Sequence, residues 1–219
     1  IMALGTKLDW IKNKKIKIKL EKIFLLILSI LISFLILRHL SVKILYLTIL
    51  VSAALYLLFI SIIDLKNEKL KQSQKISHLA FSILIISIIL NSVFSEELSV
   101  NLKVGEEKKF SKYIIKFETI SKVEIDNYTS LKAEIQIMQN NDKLKFYPEL
   151  RLYKVPETIT SEADIKTNLF NDNLVVVNYL KDTDYLNIRF QKKPFMLLIW
   201  LSTVMLAIGG TLGLRNSLK

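Results

Sequence analysis

Polar and apolar positions in this chain are segregated into blocks, and four of the blocks are almost free of charge: Ile23–Leu37, Ile44–Ile63, Ile76–Phe94 and Phe195–Leu214. A helix crossing a hydrocarbon layer about 30 Å thick needs about 20 such residues, so each block predicts a transmembrane helix. The first block is the shortest, and Lys22 and Arg38 at its ends are placed to snorkel and extend it. Between the third and fourth blocks the period changes to two. Leu98, Val100, Leu102 and Val104 alternate with polar residues, as do Tyr113, Ile115 and Phe117, then Leu131, Ala133, Ile135 and Ile137, and finally Leu186, Ile188 and Phe190. Alternation of this kind predicts strands with one buried face. Gly105, the cluster from Gln139 to Asp142, Pro148 and Pro156 supply the turn signals.

The predicted fold is therefore an integral membrane α-helical protein with four transmembrane helices and an inserted extracytoplasmic antiparallel β domain, a sandwich or barrel, over 95–193. Residues 1–22 read as the end of an upstream element and a basic cytoplasmic linker, 23–63 as a transmembrane hairpin, 76–94 as the third helix, 194–214 as the fourth and 215–219 as a cytoplasmic tail. Ser52, Ala53 and Ala54 are small enough for close approach in the hairpin. Ser161–Phe170 breaks the alternation, and Ser161 followed by Asp164 resembles a capping box, which predicts one short helix there. Pro194 precedes the last apolar block, where a proline costs no helix hydrogen bond and sets the entry angle. Gly209, Gly210 and Gly213 predict either a tight helix contact or a bend.

The formal net charge of +11 changes the picture only by fixing orientation. Lysines crowd beside the apolar blocks, at 7–22 and again at Lys66, Lys69, Lys71 and Lys75, which puts both segments in the cytoplasm and 95–193 outside. They do not line an aromatic or glycine-rich face, so nucleic acid is not an expected partner; membrane lipid is. The lack of cysteine excludes disulfides and thiolate metal sites. The chain begins with Ile and shows no cleavable signal peptide, and it reads as the C-terminal piece of something longer.

Candidate chemistry is sparse. His78, at the threshold of the third helix, reads as a proton relay, a metal ligand or an imidazole seated in the headgroup layer. His39 beside Arg38 reads as interfacial. Glu96, Glu97, Glu106 and Glu107 read as a solvated rim, and Asn127–Tyr128–Thr129 matches a glycosylation acceptor by composition alone. No phosphate-cradling glycine loop, nucleophile elbow or metalloprotease helix motif is found in the sequence, so catalytic residues are unassigned.

An ordered series of short segments nevertheless resembles one family. Ser77–His78–Leu79–Ala80, Glu96–Glu97, Leu102–Lys103–Val104–Gly105–Glu106, Tyr147–Pro148–Glu149–Leu150–Arg151–Leu152–Tyr153, Ser161–Glu162–Ala163–Asp164–Ile165, Ile188–Arg189–Phe190, Lys193–Pro194, Ile199–Trp200–Leu201, Met205 and Gly209–Gly210 follow the order seen in the C-terminal part of CcmF, the cytochrome c-type biogenesis heme lyase subunit of the heme handling family. The likeness extends to Met2–Ala3–Leu4–Gly5. It departs near Thr6, where the family has proline, and near Asn173–Leu174, where it has a tyrosine pair. The family's tryptophan-rich heme-handling segment is missing, and Trp10 and Trp200 do not replace it.

The resemblance implies that His78 is one axial ligand of the iron of a heme b, the other ligand coming from sequence outside this chain. It implies part of a heme lyase that attaches heme to apocytochrome c through thioether bonds and is not active alone. The implied partners are the remaining part of CcmF, the heme chaperone CcmE, CcmH-type apocytochrome-handling subunits, apocytochrome c and quinol. The implied location is the inner (plasma) membrane with the large domain on the periplasmic side, or the mitochondrial inner membrane if the gene is organellar. The alternatives are a non-catalytic membrane scaffold with a partner-binding β domain, and a proton-coupled transporter fragment using His78 as a relay, for which the apolar blocks supply too few ionisable residues.

Overall fold

The computed structural model describes residues 20–39, 45–139, 142–181 and 183–217. They form two compact units, a helical one up to Val93 and from Phe195 onward, and a β domain, Phe94–Pro194. The helices are α1 (Leu20–His39), α2 (Leu45–Leu65), α3 (Gln72–Phe94) and α4 (Met196–Ser217). All four are long and apolar enough to span a membrane. Their exposed positions are themselves apolar, among them Ile27, Phe34, Ile63 and Trp200, which is the surface that lipid covers in place of water. The first block is longer than its charge-free stretch predicts: α1 spans 20 residues because Leu20–Lys22 and Arg38–His39 continue the helix.

Serine hydroxyls inside the helices fold back onto carbonyls one turn earlier. Ser29 donates to Leu25, Ser61 to Leu57 and Ser202 to Leu198, each at 2.7 Å, which satisfies a polar group that hydrocarbon cannot. Ser33 instead donates across the hairpin to the carbonyl of Thr48 at 2.9 Å. Ser52 and Ala54 are buried in the hairpin and Ala53 is exposed, so two of the three small residues serve close approach.

Among the described residues ten strands build the β domain: β1 (Glu96–Leu102), β2 (Glu107–Lys109), β3 (Ile114–Ile125), β4 (Tyr128–Gln139), β5 (Asp142–Phe146), β6 (Glu149–Lys154), β7 (Glu157–Glu162), β8 (Asp164–Thr167), β9 (Asn171–Tyr179) and β10 (Leu186–Pro194). One sheet runs β1-β10-β9-β8, the other β2-β3-β4-β6-β7, with β5 on the far half of β4. All pairings are antiparallel. The core is the set that alternation picks out: Tyr113, Ile115 and Phe117 from β3 and the residues leading into it, Ala133, Ile135 and Ile137 from β4, and Leu186, Ile188 and Phe190 from β10, joined by Val175 and Val177. Gly105 takes φ +86° in the turn from β1 to β2, a conformation that suits a residue without Cβ. Val104 lies outside β1 and is half-exposed. The Gln139–Asp142 turn falls between two paired residues, and its central Asn140 and Asn141 lie outside the described residues.

Two expectations change, and one strand carries no signal in the sequence. No helix forms over Ser161–Phe170: β7 runs through Glu162 and β8 occupies Asp164–Thr167. The Asp164 carboxylate accepts the backbone N–H of Tyr147 at 2.7 Å, so the group that resembles a helix cap closes a gap between strands instead. Pro194 is not in the first turn of α4. It ends β10 opposite Asn171, and Phe195, at φ 61°, turns the chain so that its carbonyl accepts from Leu198 and Ile199. Finally β9, whose Leu174–Val177 run is continuously apolar, lacks the alternation by which the other core strands are recognised.

Candidate functional site

In the helical unit the geometry centres on the first turns of α3. Lys75, His78 and Phe81 are spaced by three and form one row on the helix. Both ends of the row meet α2. The buried Lys75 ammonium donates to the Leu65 carbonyl at 3.0 Å, where it answers one of the carbonyls left open at a helix C-terminus, and Phe81 packs against Leu57 and Ile60. His78 between them is half-buried and makes no hydrogen bond among the described residues, so its ring nitrogens are available to ligate.

The face next to this row is occupied by α4. A Cβ on Gly209 would lie 2.3 Å from Ser77 Oγ, 3.0 Å from its backbone nitrogen and 3.2 Å from its Cα, and one on Gly213 would lie 3.7 Å from Ser73 Cβ. Ser73 and Ser77 on one helix thus face Gly209 and Gly213 on the other at the same four-residue spacing, a small-residue contact that brings the backbones together. A Cβ on Gly210 would meet nothing within 4 Å among the described residues outside its own helix turn. The glycines therefore make a tight contact, and α4 holds the residue preceding His78.

Among the described residues no three His, Cys, Asp or Glu side chains gather to hold a metal ion. A cavity of about 70 Å³ lies along α3 among Ile86, Leu90, Val51 and other aliphatic side chains, far smaller than the roughly 300 Å³ at which small-molecule pockets begin. Among the described side chains the helical unit therefore offers a single imidazole, on α3. The side chain of His39 lies outside the described residues.

The β domain gathers polar chemistry on the outer face of the β3-β4-β6-β7 sheet. Arg151 on β6 hydrogen-bonds Glu149 at 3.3 Å, lies 3.7 Å from Glu162 on β7 and stacks its guanidinium 5.2 Å from the Tyr128 ring centre. Tyr128 in turn packs on Tyr153, and Ser130 donates to Glu149 at 3.2 Å. Segments 147–153 and 161–165 are far apart by sequence pattern and adjacent by register, Glu149 opposite Glu162. A shallow depression of about 210 Å³ continues this face between Thr119, Lys132, Glu134 and Tyr147. On the other sheet Arg189 bonds the Glu97 carboxylate, with Gln191 at 2.9 Å, and the Arg189 hydrogen bond holds that carboxyl below the usual range. Glu97 is thus an ion-pair member rather than plain rim. Asn127 occupies the β3–β4 turn.

Sequence reasoning misses the tyrosine–arginine cluster, because its members come from three strands whose register no local pattern fixes. The one available signal is that Tyr128, Ser130, Arg151 and Tyr153 all fall on the polar phase of their strands.

Residues 93–194 match the family model described as the CcmF C-terminal beta-sandwich. The chain is 29% identical over 138 residues to the cytochrome c-type biogenesis protein CcmF of Haemophilus influenzae, covering 63% of this chain and 21% of that one. It is 27% identical over 139 residues to CcmF of Pseudomonas aeruginosa, with the same coverage. The probable cytochrome c-type biogenesis protein NrfE of Escherichia coli is 23% identical over 138 residues, 63% of this chain and 25% of that protein. This chain therefore spans about a fifth to a quarter of the length of these relatives. The solved structure of a cytochrome c heme lyase CcmF has the same fold, with a TM-score of 0.73 at 13% identity over 96% of this chain and 37% of that one. The ordered motif series and the sandwich agree with these likenesses, and the chain is similar to the C-terminal part of the CcmF-related cytochrome c-type biogenesis proteins.

Proposed function

We propose that this chain is the C-terminal portion of a CcmF-type heme lyase and that His78 supplies one axial ligand to a heme b in the assembled protein. The observation that carries the reading is the Lys75–His78–Phe81 row, fixed at both ends on α2 while the imidazole between them has no hydrogen bond among the described residues. A neutral imidazole is a good axial ligand to heme iron, and burial beside apolar helices tunes the potential of an iron so held. A heme held by His78 would supply one-electron redox chemistry to the lyase.

The chain's own part is positional. α4 presses on Ser77 and α2 on Lys75 and Phe81, which restricts the rotation and translation of the helix turn that presents His78. The second ligand comes from the remaining part of the lyase. The tyrosine–arginine face of the β domain serves as a docking surface for CcmE, CcmH-type subunits or apocytochrome c. Lysine-rich flanks support a β domain on the periplasmic side of the inner membrane, or the equivalent side of the mitochondrial inner membrane.

The test uses the complete lyase complex. His78→Ala is expected to abolish or strongly perturb the b-heme absorbance while the protein still assembles; an unchanged spectrum removes the ligand assignment. A second reading, a non-catalytic scaffold, is favoured by the absence among the described residues of any three-residue acid or histidine cluster. Cytochrome c maturation that persists after deletion of this chain would select it.

A further inference from the structure

We propose that the β8–β9 hairpin is a lipid anchor, whose tip residues Leu169 and Phe170 enter the headgroup layer of the membrane that α4 crosses. These two side chains are 74% and 76% exposed, although both are large and apolar. They are also held out rather than left loose. Asn168 Oδ1 accepts the backbone N–H groups of Phe170 and Asn171, both at 2.9 Å, and the Asn168 N–H donates to the Asn171 carbonyl at 3.0 Å. This is a side-chain-closed turn, and it presents the apolar pair at its apex.

The position of the tip follows from register and chain connectivity. Asn171, the first residue of β9, pairs with Pro194, the last residue of β10, and α4 begins two residues later at Met196. With consecutive Cα atoms 3.8 Å apart and about 5 Å across a pair, Phe170 lies within about 17 Å of the start of α4, whatever angle the helix takes. Met196 is also the first residue of the membrane span. The same end of the sheet receives the chain from α3, since Glu96 at the start of β1 pairs with Lys192. Both tethers to the spanning helices thus attach at the end of the sheet where the tip projects.

The charges around the tip fit a phosphate-bearing surface. Lys166, Lys192 and Lys193 occupy the last rungs beside it, and Asp172, opposite Lys193, offsets one of them. An apolar pair flanked by lysines within reach of the headgroups has the composition of an interfacial anchor. The tip does not depend on His78 or on heme, so its failure and the failure of the lyase reading are separable.

The chain has no cysteine, which allows a single label without other substitutions. The full chain is reconstituted in vesicles of phosphatidylcholine and phosphatidylglycerol as Leu169→Cys or, in parallel, Val155→Cys, each carrying an environment-sensitive fluorophore. Val155 is 90% exposed in the β6–β7 turn, where the neighbouring Lys154 bonds Asn127 at the far end of its sheet. Phospholipid bearing a nitroxide near the glycerol is the quencher. The expected result is a blue-shifted emission and at least about twofold stronger lipid quenching at 169 than at 155. Equal quenching at the two sites overturns the proposal. So does a blue shift at 169 without lipid quenching, which would mean that protein covers the tip. Phe170→Cys repeats the measurement one residue on, so that a folding failure of the first variant does not decide it.

Discussion

Replacing Gly209 by alanine adds one methyl group where the structure has room for none. Ser77 Oγ, 2.3 Å from the new Cβ, can rotate away at small cost, but the Ser77 backbone nitrogen at 3.0 Å and Cα at 3.2 Å cannot. Relief of those two contacts to ordinary separation requires α4 to withdraw from α3 by several tenths of an ångström, which breaks packing along the whole Ser73–Ser77 stripe. Overpacking of this kind costs about 1–3 kcal/mol. At about 2–4 °C per kcal/mol for a chain of this size, thermal unfolding in lipid nanodiscs should fall by roughly 2–12 °C. The neighbouring glycines are internal controls. Gly213→Ala meets Ser73 at 3.7 Å, an ordinary contact, and Gly210→Ala meets nothing, so both should unfold within about 2 °C of the parent. Gly209→Ala combined with Ser77→Gly should recover only part of the loss, because the backbone contacts remain. If Gly209→Ala and Gly210→Ala lose stability equally, the close α3–α4 contact is wrong.

Two further outcomes follow from the β domain. Tyr113 is buried beside Phe190, its hydroxyl has no hydrogen-bond partner among the described residues, and burial, followed by the charge of Glu96, pushes its phenol up to about 12. Tyr113→Phe removes the orphan hydroxyl and should leave denaturant stability unchanged or raise it by about 1 kcal/mol; a loss of that size would show that the hydroxyl is satisfied. It should also flatten the alkaline limb, since a phenol raised in the folded state costs nothing below its ordinary value of 10.0 and loses stability as pH climbs toward 12. Glu97 has the opposite sign. Its folded carboxyl lies below the ordinary 4.5, so its contribution is present above that value and is lost as pH falls through the lowered one. Glu97→Gln should make acid unfolding less steep below about pH 4.5, and an unchanged slope would remove Arg189 from the acid response.

The helices and most of the β core are legible because solvent alone dictates them. A charge-free block of membrane length has one outcome, and strict alternation over Tyr113–Phe117 or Leu131–Ile137 has one buried phase. Legibility fails where a residue's partner is remote. Asp164 has the local look of a helix cap, but its carboxylate accepts instead from the Tyr147 N–H in the link between β5 and β6. The apolar run of β9 is silent because Leu174 and Val176, the half-buried positions on its other face, are as apolar as the buried Val175 and Val177 between them. His78 shows the same limit from the other direction: its spacing from Lys75 and Phe81 is visible in the sequence, whereas the α2 groups that fix the two ends of that row are not.

The pairing of β1 with β10 has a consequence in time. Strand β1 has no other partner in its sheet, and Glu96 must wait for Lys192 to be made. At about 5–20 residues per second, β1 leaves the ribosome roughly 5–20 s before it can be paired, with the third membrane helix already complete behind it. Its sequence suits that wait: Glu96, Glu97, Ser99 and Asn101 alternate with Leu98, Val100 and Leu102, and the leading carboxylates discourage a stray strand from adding to the open edge. Closure of the sheet then coincides with synthesis of the last span, so the domain can complete its fold only as the chain is re-entering the bilayer.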